Sequence, residues 1–171
     1  MLSVPNAHFS IKDKALSEEN GTLISSIILN NYDACLAGLE YADVGIFEYF
    51  TNSFNDSAGL HNYNTVAELL RLSKSDRDRA FAYCWKLHLA EDGVSHNYWV
   101  PAFIKRTKIP NYISHAPLEL SIEGYYPDPR ANRVMEGHAE FDKLVEQATG
   151  RDWSSEADRL NSRDLKVKLV A

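Results

Sequence analysis

Apolar residues recur at helical spacing along most of the chain, and the breaks between periodic stretches are marked by Gly, Pro, Asn and Ser. A short helix is expected from Asn6, read as its N-cap, to about Glu18, before the Asn20-Gly21 break. Leu23, Ile24, Ile27, Ile28, Cys35 and Leu39 predict a second helix from about Thr22 to Leu39, ending at Tyr41-Ala42-Asp43-Val44-Gly45. Residues 46–63 read as an aromatic-rich loop with one helical turn at Ile46 to Phe50. Its Phe47, Tyr49, Phe50, Phe54 and Tyr63 either line a pocket or fill the core. Asn64 or Thr65 starts a short helix through Arg71, and Ser73-Lys74-Ser75 breaks it. Ser75 with Asp78 forms the pattern of a capping box for a long helix through about Asn97, with Asp76 to Arg79 as its solvated first turn. Pro101 and Pro110 bracket a further short helical segment. Ser114 caps another start with Pro117 in its first turn, and Tyr125 to Pro129 is a turn. Ala131 to Ala148 predicts a last amphipathic helix closed by Gly150, before a polar segment with a short helix near Glu156 to Leu160. The pattern is all-α.

Within the long helix, His88, Asp92 and His96 follow one another at i, i+4, so they share a side. Phe81, Cys84 and Trp85 extend that side toward the N-terminus, which turns the polar trio toward the core. Buried imidazoles and carboxylates need partners, because an isolated desolvated polar group costs several kcal/mol, roughly. Two readings follow: a divalent cation held by the trio, or a solvated face on which three polar residues fall in register. Asp43, at or just past a helix C-terminus where the macrodipole disfavours a carboxylate, is either a ligand of the same kind or a turn residue in solvent.

Composition narrows the class. The 171 residues suit one domain, and 44% hydrophobic with 25% charged residues is ordinary for a globular protein. No apolar run is as long as a membrane span, and the N-terminus shows no signal peptide. A cytoplasmic location is therefore expected, or secretion if the chain is a mature form. The net charge of -6 argues against broad nucleic-acid or anionic-membrane binding. Cys35 and Cys84 read as buried free thiols.

The histidines other than His138, which reads as structural, stand with three acids. The candidate metal ligands are His8, Asp43, His61, His88, Asp92, His96, His115 and Glu119, the last two again at i, i+4. Imidazole and carboxylate donors without thiolates suit zinc. Eight ligands are too many for one ion and suit two or three sharing Asp92; zinc ions in that number would offset four to six of the negative charges.

In order, these residues resemble the metal-binding core of the zinc-dependent phospholipases C, whose all-helical fold is shared by the fungal single-strand nucleases. The resemblance rests on Asn6-Ala7-His8, on Leu36 to Asp43, on His61, on Leu87 to His96, and on His115-x-x-x-Glu119, spanning roughly residues 6–120. It implies a single-domain helical bundle, with residues 1–150 as the metal-binding domain and 151–171 as a polar C-terminal tail. It assigns Asp43, His61, His88 and Asp92 to a first zinc, His96, His115 and Glu119 to a second, and His8 with Asp92 to a third. The chain departs from the family in having no N-terminal Trp ligand, only three residues between Asp92 and His96, and a shorter length. Two well-occupied zinc sites and an empty or partial third are expected.

The activity implied is hydrolysis of a phosphodiester, such as a phospholipid headgroup ester, by a metal-activated water, with Asp43 and Glu119 as the catalytic carboxylates. The alternatives are a non-catalytic zinc-binding protein on the same fold and a metal-dependent nuclease, the latter disfavoured by the negative charge.

Overall fold

The computed structural model describes residues 5–44, 60–108 and 138–161, with side chains from Ile11 to Val44, throughout 60–108, and from His138 to Asp158. Among them all regular structure is helical. The elements are α1 (Pro5–Glu18), α2 (Leu23–Asn30), α3 (Tyr32–Tyr41), α4 (Tyr63–Leu72), α5 (Asp76–Val94), a π-helical stretch (Ser95–Trp99), α6 (Val100–Thr107), α7 (Asp142–Thr149) and α8 (Ser154–Asn161). The expected loop at 46–59, the helix start at Ser114, the Tyr125 turn, residues 131–137 and the side chain of His8 lie outside the described residues, as do His115 and Glu119.

Several boundaries differ from the sequence reading, each for a local reason. Asn6 lies inside α1 instead of capping it, because Pro5 takes the first helical position, where its fixed φ is already suitable. The single helix expected from Thr22 to Leu39 is two. Thr22 caps α2 by accepting from the Ser25 N–H at 3.1 Å. At Asn31 the side-chain amide donates to Ile27 O at 3.0 Å, and the backbone turns to φ -132°, ψ 48°. An Asn that bonds its own helix backbone offers the chain an alternative to continuing, and here it breaks the run.

The Ser75–Asp78 capping box forms as expected. The helix it starts changes character at Ser95 and runs on as a π-helical stretch into α6. Pro101 lies in the first turn of α6. Its ring has no N–H and crowds the carbonyl four residues back, and a π-turn immediately upstream widens the helix there. Lys108, with φ 61°, ends α6 in the left-handed conformation. The final amphipathic helix is shorter than expected, since a 3₁₀ turn at 138–140 precedes α7. Gly150 closes α7 at φ 76°.

The core is built where α3 crosses α5. Gly38 lets the backbones meet: a Cβ added there would lie 2.1 Å from the Phe81 carbonyl oxygen. Around this contact Tyr41 stacks on Trp85 with 5.7 Å between ring centroids, and Phe81 stacks on Phe141 at 4.2 Å. The buried Tyr41 hydroxyl donates to Asp142 at 2.7 Å, which satisfies its polar end and ties α3 to α7. Trp153 and Ala157, from the segment read as a polar tail, are also buried in this cluster. Arg77 bridges from the first turn of α5 to Asp33 at 2.7 Å and to Glu140 at 2.6 Å, so this turn is tied to two neighbours as well as solvated.

The cysteines are not free thiols. Cys35 of α3 and Cys84 of α5 form a disulfide, with their Cα atoms 5.1 Å apart. Burial was expected and holds, since both are fully inaccessible. The pairing depends on the α3–α5 crossing, which no local pattern encodes.

Candidate metal centre

Four side chains from three segments converge beside the α3–α5 crossing. Asp43 lies two residues beyond α3, in a tight turn where its N–H donates to Glu40 O at 3.0 Å and Val44 N–H donates to Tyr41 O at 3.1 Å. The turn makes Asp43 a rigid extension of the helix. His61 precedes the α4 cap residue Asn62. Its neighbour Leu60 is fully buried and accepts from Trp85 Nε1 at 3.0 Å, which pins the segment to α5. His88 and Asp92 come from successive turns of α5.

The donor atoms are closely spaced. His61 Nε2 is 3.2 Å from Asp43 Oδ1 and 3.4 Å from Asp92 Oδ2. His88 Nε2 is 3.4 Å from Asp43 Oδ1 and 3.6 Å from Asp92 Oδ2, and the two Nε2 atoms are 3.4 Å apart. Ligands at about 2.0–2.1 Å around a tetrahedral ion are separated by roughly 3.3 Å, and the donor atoms of Asp43, His61 and His88 are spaced at 3.2–3.4 Å. Asp43 Oδ1 and Asp92 Oδ2 are buried and accept no well-formed hydrogen bond, although each faces both imidazoles. Buried acceptors without such a bond are uncommon, and a shared cation would satisfy both. The Asp43, His61 and His88 group could hold a metal ion.

Comparison with protein-family models, curated proteins and solved structures finds no match for this chain.

Electrostatics without a cation are strained toward charge pairing. Burial opposes the charged form of Asp43, but His88 and His61 outweigh it and hold the carboxyl well below the usual range. Asp92 is lowered in the same way against its own burial, chiefly by the close approach of the His61 and His88 imidazoles. Burial pulls both imidazoles down, yet the two carboxylates push His61 up to about 9 and His88 well above its ordinary value. The pocket selects positive charge, supplied by protons when no metal is bound.

Burial is graded across the group. The His88 side chain is 0% exposed and Asp43 3%, whereas Asp92 is 15% and His61 26% exposed. The Asp43–His88 side is the floor and the His61–Asp92 side is open to approach. The second oxygen of Asp92 turns elsewhere: its Oδ1 lies 3.9 Å from His96 Nε2. One carboxylate thus addresses two places, as a bridging ligand does. His96 sits in the π-helical stretch, a type of insertion common at functional sites.

The structure therefore brings together Asp43, His61, His88 and Asp92 with His96 at the margin. Of the other expected ligands, His8 has no described side chain, and His115 and Glu119 lie outside the described residues. His138 stands apart, buried against Asp158 at 3.2 Å and near the Tyr41 ring. An apolar cleft of about 400 Å³ between α1, α2 and α5, lined by Leu16, Ile24, Tyr83 and Leu87, includes none of the cluster residues. Sequence reasoning missed the residues that set the site from behind: Gly38, the disulfide, and the Trp85–Leu60 bond. The only sequence signal for them was the placement of Cys84 one helical turn before His88.

Proposed function

We propose that this protein is a zinc-dependent phosphodiester hydrolase of the phospholipase C type. The observation that carries the reading is the convergence of two imidazoles and two carboxylates with 3.2–3.6 Å between their donor atoms. Imidazole and carboxylate donors are among those that bind zinc. A bound divalent cation supplies Lewis acidity toward a phosphoryl oxygen and lowers the pKa of water toward about 7. The chain's own residues hold and shape the place. Asp43 and His88 anchor it from the buried side, and His61 and Asp92 present the accessible side to a phosphodiester. Asp92 Oδ1, aimed at His96, extends the site toward a second cation, to which the resemblance adds His115 and Glu119. Asp43 and Glu119 are the proposed catalytic carboxylates, and a third site at His8 is proposed to be empty or partial. The disulfide supports an oxidising compartment over the cytoplasm, since such bonds persist mainly there. No helix among the described residues is long and apolar enough to cross a membrane.

One observation favours a second reading, a zinc-binding protein without turnover. Asp92 faces both imidazoles of the Asp43, His61 and His88 group, and a fourth protein ligand there would close the shell as in structural sites, whereas catalytic zinc keeps a position open. Metal analysis of purified protein, followed by assays on bis-nitrophenyl phosphate and nitrophenyl phosphorylcholine, separates the two. Chelator-sensitive hydrolysis, lost in Asp92→Asn, is expected. Stoichiometric zinc with no hydrolysis across the panel would overturn the enzymatic reading in favour of the second.

A further inference from the structure

We propose that the Cys35–Cys84 disulfide is a positioning element of the metal centre, so that zinc affinity and the redox state of this bond are coupled. The inference rests on the metal reading of the cluster and deepens it. The bond joins the two helices that supply three of the four donors. Cys84 lies one turn before His88, and Cys35 lies on the helix whose terminal turn fixes Asp43. Asp43 therefore follows any movement of α3, and His88 any movement of α5.

α3 is held against α5 by the Gly38 contact with the Phe81 backbone, the Tyr41–Trp85 stack and the Arg77–Asp33 pair, all non-covalent. The disulfide adds the covalent tie between them. The tolerance at the far end is narrow. Asp43 Oδ1 and His88 Nε2 are 3.4 Å apart, and metal–ligand distances are held to about ±0.2 Å. A rotation that moves Asp43 by a fraction of an ångström moves a ligand out of range.

Reduction breaks the S–S bond and forms two thiols. The two electrons and two protons come from two molecules of a monothiol such as glutathione, which becomes its own disulfide. Linkage then works in both directions: if oxidation tightens zinc binding by some factor, zinc stabilises the oxidised form by the same factor. Outer residues that orient ligands commonly control metal affinity by about 10–100-fold. A tenfold coupling corresponds to about 30 mV in a two-electron midpoint.

The test is a glutathione redox titration of the intact protein at clamped free zinc and again with zinc chelated. It is read together with direct zinc titrations of the oxidised protein and of the Cys35→Ser/Cys84→Ser double variant. The expected result is at least about tenfold weaker zinc binding without the bond, and a midpoint at least about 30 mV more negative with zinc. Far-UV circular dichroism should stay native throughout. Val145→Ala, which trims the core without touching the bond, should melt lower yet bind zinc with unchanged affinity. Equal affinities, an unmoved midpoint, or tighter binding by the free thiols would overturn the proposal. So would loss of helix on reduction, which would give the bond a role in folding alone. An oxidised wild type that binds no zinc would instead remove the metal centre itself, and the direct titration identifies that case. If the double variant does not fold, the wild-type midpoints decide.

Discussion

Asp43 and His88 illustrate how strongly single residues determine this site. Both are buried, and each faces both members of the opposing pair, so removing one leaves charges that the pocket was arranged to compensate. His88→Ala is expected to abolish tight zinc binding, while His138→Asn, altering a histidine paired with Asp158, should leave it unchanged. Zinc titration monitored by a competing chelator checks both, and equal binding in all three proteins would refute the assignment. Gly38 offers a different test. A Cβ there meets backbone and not a flexible side chain, so Gly38→Ala must push α3 off α5. Overpacking of this kind costs typically about 1–3 kcal/mol. The variant should melt lower and also bind zinc more weakly; unfolding curves paired with zinc titration would show whether both losses occur.

At the scale of elements, the legibility of the sequence was uneven for physical reasons. The Ser75–Asp78 box and the Gly150 stop were readable because capping is local chemistry. The His88, Asp92 and His96 register was readable because it depends only on helical spacing, and the first two of these lie beside His61, with His88 also beside Asp43. The break at Asn31 was not readable, since it depends on whether one amide turns back onto Ile27. The disulfide and the Gly38 contact were invisible because they arise from the crossing of helices far apart in sequence. Two element-level predictions follow from local and non-local restraint. Ser75→Ala should cost about 1 kcal/mol through loss of the α5 cap, measured by urea denaturation. Opening the Cys35–Cys84 bond, which closes a loop of 49 residues, should cost about 4 kcal/mol on the chain-entropy account. A change below about 1 kcal/mol would mean that the unfolded chain is already restricted.

For the molecule as a whole, a metal held by the turn after α3, by α5 and by the segment before α4 would couple metal binding to the helical core. Zinc at one hundred times its dissociation constant should stabilise the fold by about 2.7 kcal/mol. For a chain of this size that raises the melting temperature by roughly 5–10 °C. The shift should be absent in His88→Ala and present in His138→Asn. The negative net charge of -6 suits a protein that gains positive charge on loading. The most direct measurement of the central claim is anomalous diffraction at the zinc edge from crystals grown with zinc. The account predicts a peak about 2.0–2.2 Å from Asp43 Oδ1, His61 Nε2, His88 Nε2 and an Asp92 oxygen. A zinc-loaded crystal with no peak among these four side chains, or with its peak elsewhere, would contradict it.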